Sequence, residues 1–427
     1  MSDPQSTHGY GSNGDLASAE HVLDVLVVGG GPAGMATGYA LGKAGLDYLI
    51  LEKGDRVAAS WHGFWDSLKL NSPRFMSSLP GTRIDRRAGR WPTRDAMIAY
   101  FERYAAKHSL AVAFGERATR IDRAGDLWRV ETESGERRAR AVVVATGINA
   151  KRHMPPWPGR DEFTGTLMHA MDYRTPGPFA GKRVLIVGPG STGKDIAVDL
   201  LSAGPAQVWL SIRTPPLMFP EAILGVPVDL GTQFAKRLPR WTHGVADVQS
   251  KILSRLSMGD LRRYGIGRPP EGVMKAMRTR GHGATIERGF VPAVKAGRIE
   301  VLPAVEGFSG DEVLLAGGER VKADVVIVAT GQLPGLEEMV GHLDVLAADG
   351  RPRVHAEECA PHAPNLHFVG YRLPPGQLPD LRRDAPAVAR AIARAFERRR
   401  PGAPPAPAGS GDPAARDRGE SAGGVTA

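Results

Sequence analysis

Two copies of one glycine pattern decide most of what this 427-residue chain can fold into. The first is Gly29-Gly30-Gly31-Pro32-Ala33-Gly34 and the second is Gly188-Pro189-Gly190-Ser191-Thr192-Gly193. Each reads G-x-G-x-x-G. Each follows a short apolar run, Val25-Leu26-Val27-Val28 or Val184-Leu185-Ile186-Val187, and each continues into helix-compatible sequence. In such a strand–turn–helix setting the first glycine permits the tight turn and the second lets the backbone approach a pyrophosphate. The third lets the helix pack close to the sheet. The phosphates then rest on free N–H groups at a helix N-terminus, where the dipole favours negative charge. One such motif is a weak signal in a chain with 53 glycines. Two in the same context point to two dinucleotides on one polypeptide, and so to electrons passing between them.

The residue about 20 positions further on separates the two sites. After the first motif, the strand-like Tyr48-Leu49-Ile50-Leu51 ends in Glu52, whose carboxylate suits the ribose hydroxyls of FAD or NAD. After the second, Val208-Trp209-Leu210-Ser211-Ile212 ends in Arg213, and no acid stands there. An arginine suits a 2′-phosphate, so NADP is expected at the second site; a solvated strand-end charge is the alternative.

Composition removes several classes. The hydrophobic content of 42% supports a sizeable core. No apolar run reaches the length of about 18 residues that a membrane span requires. Residues 1–20 lack the basic start and apolar core of a signal peptide, so a cytoplasmic protein is expected. Cys359 is the single cysteine, which excludes an internal disulfide and a C-x-x-C redox pair. His153, His282, His342, His355, His362 and His367 show no metal-ligand spacing, so no metal is expected. The net charge of +9 comes with no nucleic-acid-binding module and reads as a solvated basic surface that also steers a polyanionic cofactor.

The order of motifs predicts an α/β fold of two Rossmann-like dinucleotide-binding domains, with the NADP domain inserted into the FAD domain. Two near-identical phrases mark the crossings: Ala145-Thr146-Gly147 after a buried strand, and Ala329-Thr330-Gly331 after another. The FAD-binding domain is expected over 21–154 and 325–400, and the NADP-binding domain over 155–324. The strand Leu366-His367-Phe368-Val369, ending in Gly370, and a helix from Ala385 to Glu397 should complete the first. Residues 215–285 read as an amphipathic helical insertion that lines a substrate entrance or an oligomer contact, with a membrane-surface role as the alternative. Residues 1–20 and the Pro/Ala/Gly-rich 401–427 read as disordered tails.

A third motif lies between the fingerprints: Phe163-x-Gly165-x-x-x-His169-x-x-x-Tyr173. With it the chain resembles the class B flavin-dependent monooxygenases over roughly residues 22–395. Tyr173 is similar to the aromatic of the flavin-containing monooxygenase and YUCCA branch rather than the Baeyer–Villiger branch. Leu51-Glu52-Lys53 through Ala59-Ser60-Trp61, Trp91-Pro92-Thr93, Tyr264-Gly265-Ile266-Gly267-Arg268-Pro269 and Gly370 leading into Asp384-Ala385 resemble the YUCCA-type group. One departure is Asn71, in Ser67-Leu68-Lys69-Leu70-Asn71-Ser72-Pro73, where YUCCA-type enzymes have histidine and flavin-containing monooxygenases have asparagine. That departure counts against indole-3-pyruvate as the substrate without removing 2-oxo acids as a class.

The resemblance implies FAD and NADPH as cofactors, with a small organic molecule and O2 as co-substrates. It implies hydride transfer from NADPH to FAD, oxygen addition to give a flavin C4a-(hydro)peroxide, and transfer of one oxygen atom. Asn71 would touch the flavin edge or the oxygen adduct as the catalytic residue; the alternative is a turn asparagine before Ser-Pro. His169 is expected to hold the linker near NADP rather than act as a base. Trp61 and Trp65 either pack on FAD or fill the core. Amine, sulfide, ketone and 2-oxo acid substrates stay open, as do a homodimer, an NADPH oxidase that transfers no oxygen, and a flavin redox sensor.

Overall fold

The structure is a computed structural model that describes residues 21–235, 239–281, 283–372 and 377–398. The tails expected at 1–20 and 401–427, and His282, lie outside the described residues.

The run before the first fingerprint becomes the end of strand β1 (Val22–Val28), in which Val25 to Val28 are all buried. An unbroken apolar run of this kind belongs in a parallel sheet covered on both faces. The flanking strands are β2 (Tyr48–Glu52), β3 (Val112–Phe114), β4 (Ala118–Ala124), β5 (Leu127–Thr132) and β6 (Gly135–Val144). Their order is β3-β2-β1-β6-β5-β4. The β4-β5-β6 portion is an antiparallel meander, whereas β3, β2, β1 and β6 run parallel. The early part of β6 pairs with β5, and its end pairs in parallel with the returning strand Leu366–Phe368. Helix α1 (Pro32–Lys43) and the helices Arg94–Lys107 and Gln377–Arg398 pack on one face around Val25, Val27, Met97, Phe101, Leu381 and Ile392.

The plan then repeats. A two-stranded ribbon of β7 (Lys151–Arg152) and Gln332–Leu333 carries the chain out and back. The second sheet contains β8 (Thr166–His169), β9 (Arg183–Val187) and β10 (Gln207–Ser211), with Glu300–Leu302 at one edge and Val325–Val328 between β9 and β8; all pairings are parallel. The antiparallel strands Val305–Ser309, Glu312–Leu315 and Arg320–Lys322 stand beside it, as the meander does in the first unit.

Two expected boundaries move. Val325–Val328 hydrogen-bonds to β9 and β8, so the inserted unit ends after Val328 rather than at residue 324. The strand completes the second sheet, and only the Ala-Thr-Gly phrase after it leads out. The last helix begins at Gln377 rather than Ala385 and carries Pro386 within it. Proline in a helix interior costs about 3 kcal/mol. Burial of Leu381, Ala385, Val388 and Ile392 against the α1 side of the sheet offsets that cost.

Between β10 and Glu300 lie short paired segments and the helices Val228–Ala235, His243–Met258 and Val273–Arg280. The strand Met218–Pro220 pairs in parallel with Thr285–Glu287, which brings the two ends of this insertion together beside the second sheet.

Candidate functional site

The two fingerprints are built alike, atom for atom along the backbone. The Gly29 N–H donates to Leu51 O at 2.8 Å, and the Gly188 N–H donates to Ser211 O at 3.1 Å. Ala145 and Ala329, which open the two Ala-Thr-Gly phrases, donate to Val28 O and Val187 O, both at 2.8 Å. Gly29 (φ 109) and Gly188 (φ 118) occupy the left-handed region. A Cβ on either would lie 2.8 Å from Ala145 O or 2.5 Å from Ala329 O, closer than such contacts allow. Only glycine fits there, for backbone conformation and for space. The third glycines, Gly34 and Gly193, press against the carbonyls of Gly29 and Gly188.

The middle glycines face open space. Gly31 and Gly190 are the N-caps of α1 and of the helix Ser191–Leu200, and a Cβ on either would meet nothing within 4 Å. Neither helix start has a side-chain cap or an acid in its first turn. Their first N–H groups therefore want an acceptor, and the end of the helix dipole favours an anion. These residues fit a dinucleotide pyrophosphate at both places. Pro32 and Ala33 open α1, while Ser191 and Thr192 open its counterpart.

Around the first cradle, Glu52 ends β2 with its side chain buried. One carboxylate oxygen accepts from Gly30 N–H at 2.7 Å and the other from Gly54 N–H at 2.8 Å. Each oxygen keeps a lone pair for a ribose hydroxyl. Lys53 and Ser60 lie exposed beyond it, and Trp61 is half-buried with its ring edge-on to Phe64 and Phe101. Trp65 is buried in the core of the second unit. Thr146 Oγ1 is 2.8 Å from the hydroxyl of the buried Tyr371, and Gly147 is open. Gly370 (φ 90) would bring a Cβ to 3.1 Å from Ala33, at the start of α1. At the second cradle Arg213 lies exposed just beyond β10, and Thr330 Oγ1 donates to His153 O at 2.7 Å.

The third motif staples the linker to the second unit. His169, 2% exposed, ends β8. Its Nδ1 accepts from Met171 N–H at 3.1 Å, which leaves Nε2 to carry the proton and donate to Gly331 O at 3.1 Å. Burial holds the imidazole below its usual pKa. A neutral ring with both nitrogens engaged is a strut between the linker and the second Ala-Thr-Gly phrase. Tyr173 is fully buried and donates to Asp199 Oδ2 at 2.6 Å. Burial raises its phenol well above the ordinary range.

Sequence reasoning missed the seam between the two units. There an open cleft of about 450 Å³ is lined by Lys69 and Trp91 from the first unit and by Pro220, Glu221, Glu287 and Arg288 from the second. Arg288 crosses it. The guanidinium donates to Glu221 through Nε, to Lys69 O through Nη1 (3.1 Å) and to Leu70 O through Nη2 (2.6 Å). It also stands 3.7 Å from Asp195, two residues past Gly193. Next to Asp195, Lys194 is buried and donates to Thr285 Oγ1 (2.7 Å) and Ile286 O (3.0 Å). Desolvation lowers the Lys194 ammonium and raises the Asp195 carboxyl. Buried charges hold such a geometry because removing one partner strands the other. The clamp grips the carbonyls just before Asn71. That residue is exposed, and its amide makes no hydrogen bond among the described residues.

Lys69 and Trp91 differ in their surroundings at the cleft wall. Lys69 is exposed and belongs to none of the ion pairs among the described residues. Trp91 has a buried Nε1–H without a partner among them. Glu221 is matched by Arg288, and Glu287 accepts the Val291 N–H at 3.0 Å. No contiguous motif signals this set; its members come from four segments of the chain.

Comparison with known proteins agrees with this geometry. The pyridine nucleotide-disulphide oxidoreductase family model matches residues 26–222. A probable indole-3-pyruvate monooxygenase, YUCCA8 of Arabidopsis thaliana, is 32% identical over 346 residues, covering 78% of this chain and 80% of that protein. The indole-3-pyruvate monooxygenase YUCCA8 of Oryza sativa subsp. indica is 31% identical over 389 residues, with 87% and 91% coverage. Among solved structures, the flavin-containing monooxygenase from Stenotrophomonas maltophilia superposes with a TM-score of 0.68 at 26% identity, covering 88% of this chain and 99% of that one.

Proposed function

The chain belongs to the class B flavin-dependent monooxygenases, and from that membership we propose that it oxygenates a small aromatic carboxylate held in the Lys69–Trp91 cleft. It is an NADPH-dependent flavoprotein whose cofactors are FAD and NADPH. The observation that carries the substrate class is the exposed Lys69 ammonium, outside the ion pairs of the described residues, beside the Trp91 side chain in the wall of the seam cleft near Asn71. A cation outside any ion pair at the cleft wall favours an anionic ligand, and a carboxylate matches an ammonium with charge-assisted hydrogen bonds. The plant relatives are named for indole-3-pyruvate, an aromatic 2-oxo acid, which is one member of this class.

When bound, FAD and NADPH supply hydride transfer and oxygen activation. The rest falls to the chain. In this reading Gly29, Gly31, Pro32, Ala33, Gly34 and Glu52 hold the FAD pyrophosphate and ribose, flanked by Lys53, Ser60, Trp61, Ala145, Thr146, Gly147 and Gly370. Gly188, Gly190, Ser191, Thr192 and Gly193 hold the NADPH pyrophosphate beside Thr330 and Gly331, while His169 braces Gly331. Arg213 pairs with the 2′-phosphate. The Asn71 amide donates a hydrogen bond to the oxygen being transferred, and the Arg288 clamp fixes the backbone that presents it.

Three outcomes check these roles. Lys69→Met should raise the KM for phenylpyruvate and other aromatic carboxylates by about 10- to 100-fold, the scale of a charge-assisted hydrogen bond of about 1.5–3 kcal/mol. The KM for a neutral sulfide such as thioanisole should stay unchanged; equal effects on both would refute a carboxylate site. Asn71→Ala should retain FAD while oxygenated product per NADPH falls by about tenfold or more and hydrogen peroxide rises to match. Unaltered coupling would remove Asn71 from the chemistry. Arg213→Ala should weaken NADPH binding by about tenfold and leave NADH binding as it was; a parallel loss for both nucleotides would contradict the 2′-phosphate assignment.

A further inference from the structure

The helix His243–Met258 is turned inside out. Its buried face carries two serines, Ser250 and Ser254, and only Met258 at its end as a buried apolar side chain. The Ser250 hydroxyl donates to Asp247 O (2.8 Å) and accepts from Val273 N–H (3.1 Å), and the Ser254 hydroxyl donates to Met218 O (2.8 Å). The Asp247 carboxylate accepts from the N–H groups of Met274 (2.6 Å) and Lys275, capping the helix Val273–Arg280. The outward face is apolar. Val245, Val248, Ile252 and Leu256 are 59%, 54%, 56% and 77% exposed, and their spacing of three and four residues puts them in one stripe. Trp241, just before the helix, is 83% exposed. A helix packed on a soluble domain normally does the reverse. A continuous exposed apolar stripe marks a surface that another body covers.

The charges beside the stripe select that body. Asp247 is the only acid in the helix, and it is committed to the inward cap. Lys251 and Arg255 lie exposed along one flank, and the whole chain carries a net charge of +9. A second copy laid across the stripe would set these cations against their own counterparts, with no acid of the helix to receive them. An anionic lipid surface takes both features at once: apolar side chains enter the boundary between headgroups and acyl chains while Lys and Arg meet the phosphates. A tryptophan at the end of the stripe suits that boundary as well. Among the described residues no helix is long and apolar enough to cross a membrane, so the contact would lie flat.

We propose that the outward face of His243–Met258, with Trp241, docks this monooxygenase onto anionic membrane surfaces. The Met218–Pro220 strand beneath the helix leads directly into Glu221 of the cleft, so docking sets the cleft close to the lipid.

Sedimentation of the full-length, FAD-loaded protein with vesicles tests this. The wild type should pellet with phosphatidylcholine vesicles that contain phosphatidylglycerol and stay in solution with phosphatidylcholine alone. The V248S/I252S/L256S variant should lose at least about tenfold in partitioning, and K251E/R255E should lose as much. Both should keep the wild-type unfolding temperature and vesicle-free turnover, because all five side chains are exposed. Wild type that fails to pellet with the anionic vesicles would overturn the proposal, as would a triple variant that pellets normally. So would a dimer, seen by light scattering, that the triple variant converts to monomer, since the stripe would then be a self-contact.

Discussion

The close approach of a strand-end glycine to the carbonyl of an alanine underlies this molecule, and it occurs twice. Gly29 lies against Ala145 O and Gly188 against Ala329 O, at distances that leave no room for a Cβ. That approach lets the first strand of each unit end level with the strand beside it, so that the next helix starts above an open space. The helix N-terminus then points its free N–H groups at whatever occupies the space. Each unit is a parallel sheet with an antiparallel annex, and each places its Ala-Thr-Gly phrase at the lip of the cradle. Where the chain leaves one unit it enters the other, by way of the Lys151–Arg152 and Gln332–Leu333 ribbon, and His169 fixes the second lip by its bond to Gly331 O.

Between the cradles the connection is ionic. Arg288 ties the helix that starts at the second cradle, through Asp195, to the carbonyls of Lys69 and Leu70 in the first unit. Buried ionic groups are a weak source of stability, but they define a position well, because displacement leaves charges without partners. The use that fits here is positional: the loop carrying Asn71 is held from the second unit. The same clamp pairs Arg288 with Glu221 and leaves Lys69 as the cation of the cleft lining that has no ion-pair partner among the described residues.

Local order made part of this legible in the sequence. The fingerprints, Glu52, the Ala-Thr-Gly phrases and the placement of one unit inside the other follow from strand–turn–helix signals within about 30 residues of chain. His169 reads in the sequence as a residue of the linker, and only the folded chain shows its ring bonded to Met171 N–H and Gly331 O. The rest depends on distance. Val325–Val328 reads as easily as the start of one unit as the end of another, since only its pairing with β8 and β9 decides. The last helix reads in sequence from Ala385, yet packing against α1 carries it back to Gln377 through Pro386. Arg288, Lys69 and Trp91 meet from remote segments and share no pattern. The 215–285 insertion was legible as helical and amphipathic, but which face turns inward rests on hydrogen bonds from Ser250, Ser254 and Asp247 that no hydropathy pattern contains.

The account requires two separate cradles, the first for the flavin and the second for its reductant. Anaerobic titration of the purified chain with NADPH, followed through the flavin absorbance, tests that division with one substitution in each cradle. Gly29→Ala should give colourless protein that FAD does not restore, whereas Gly188→Ala should give yellow protein that NADPH no longer bleaches. A Gly188→Ala protein bleached as fast as the wild type, or a Gly29→Ala protein that keeps its flavin, would contradict the account.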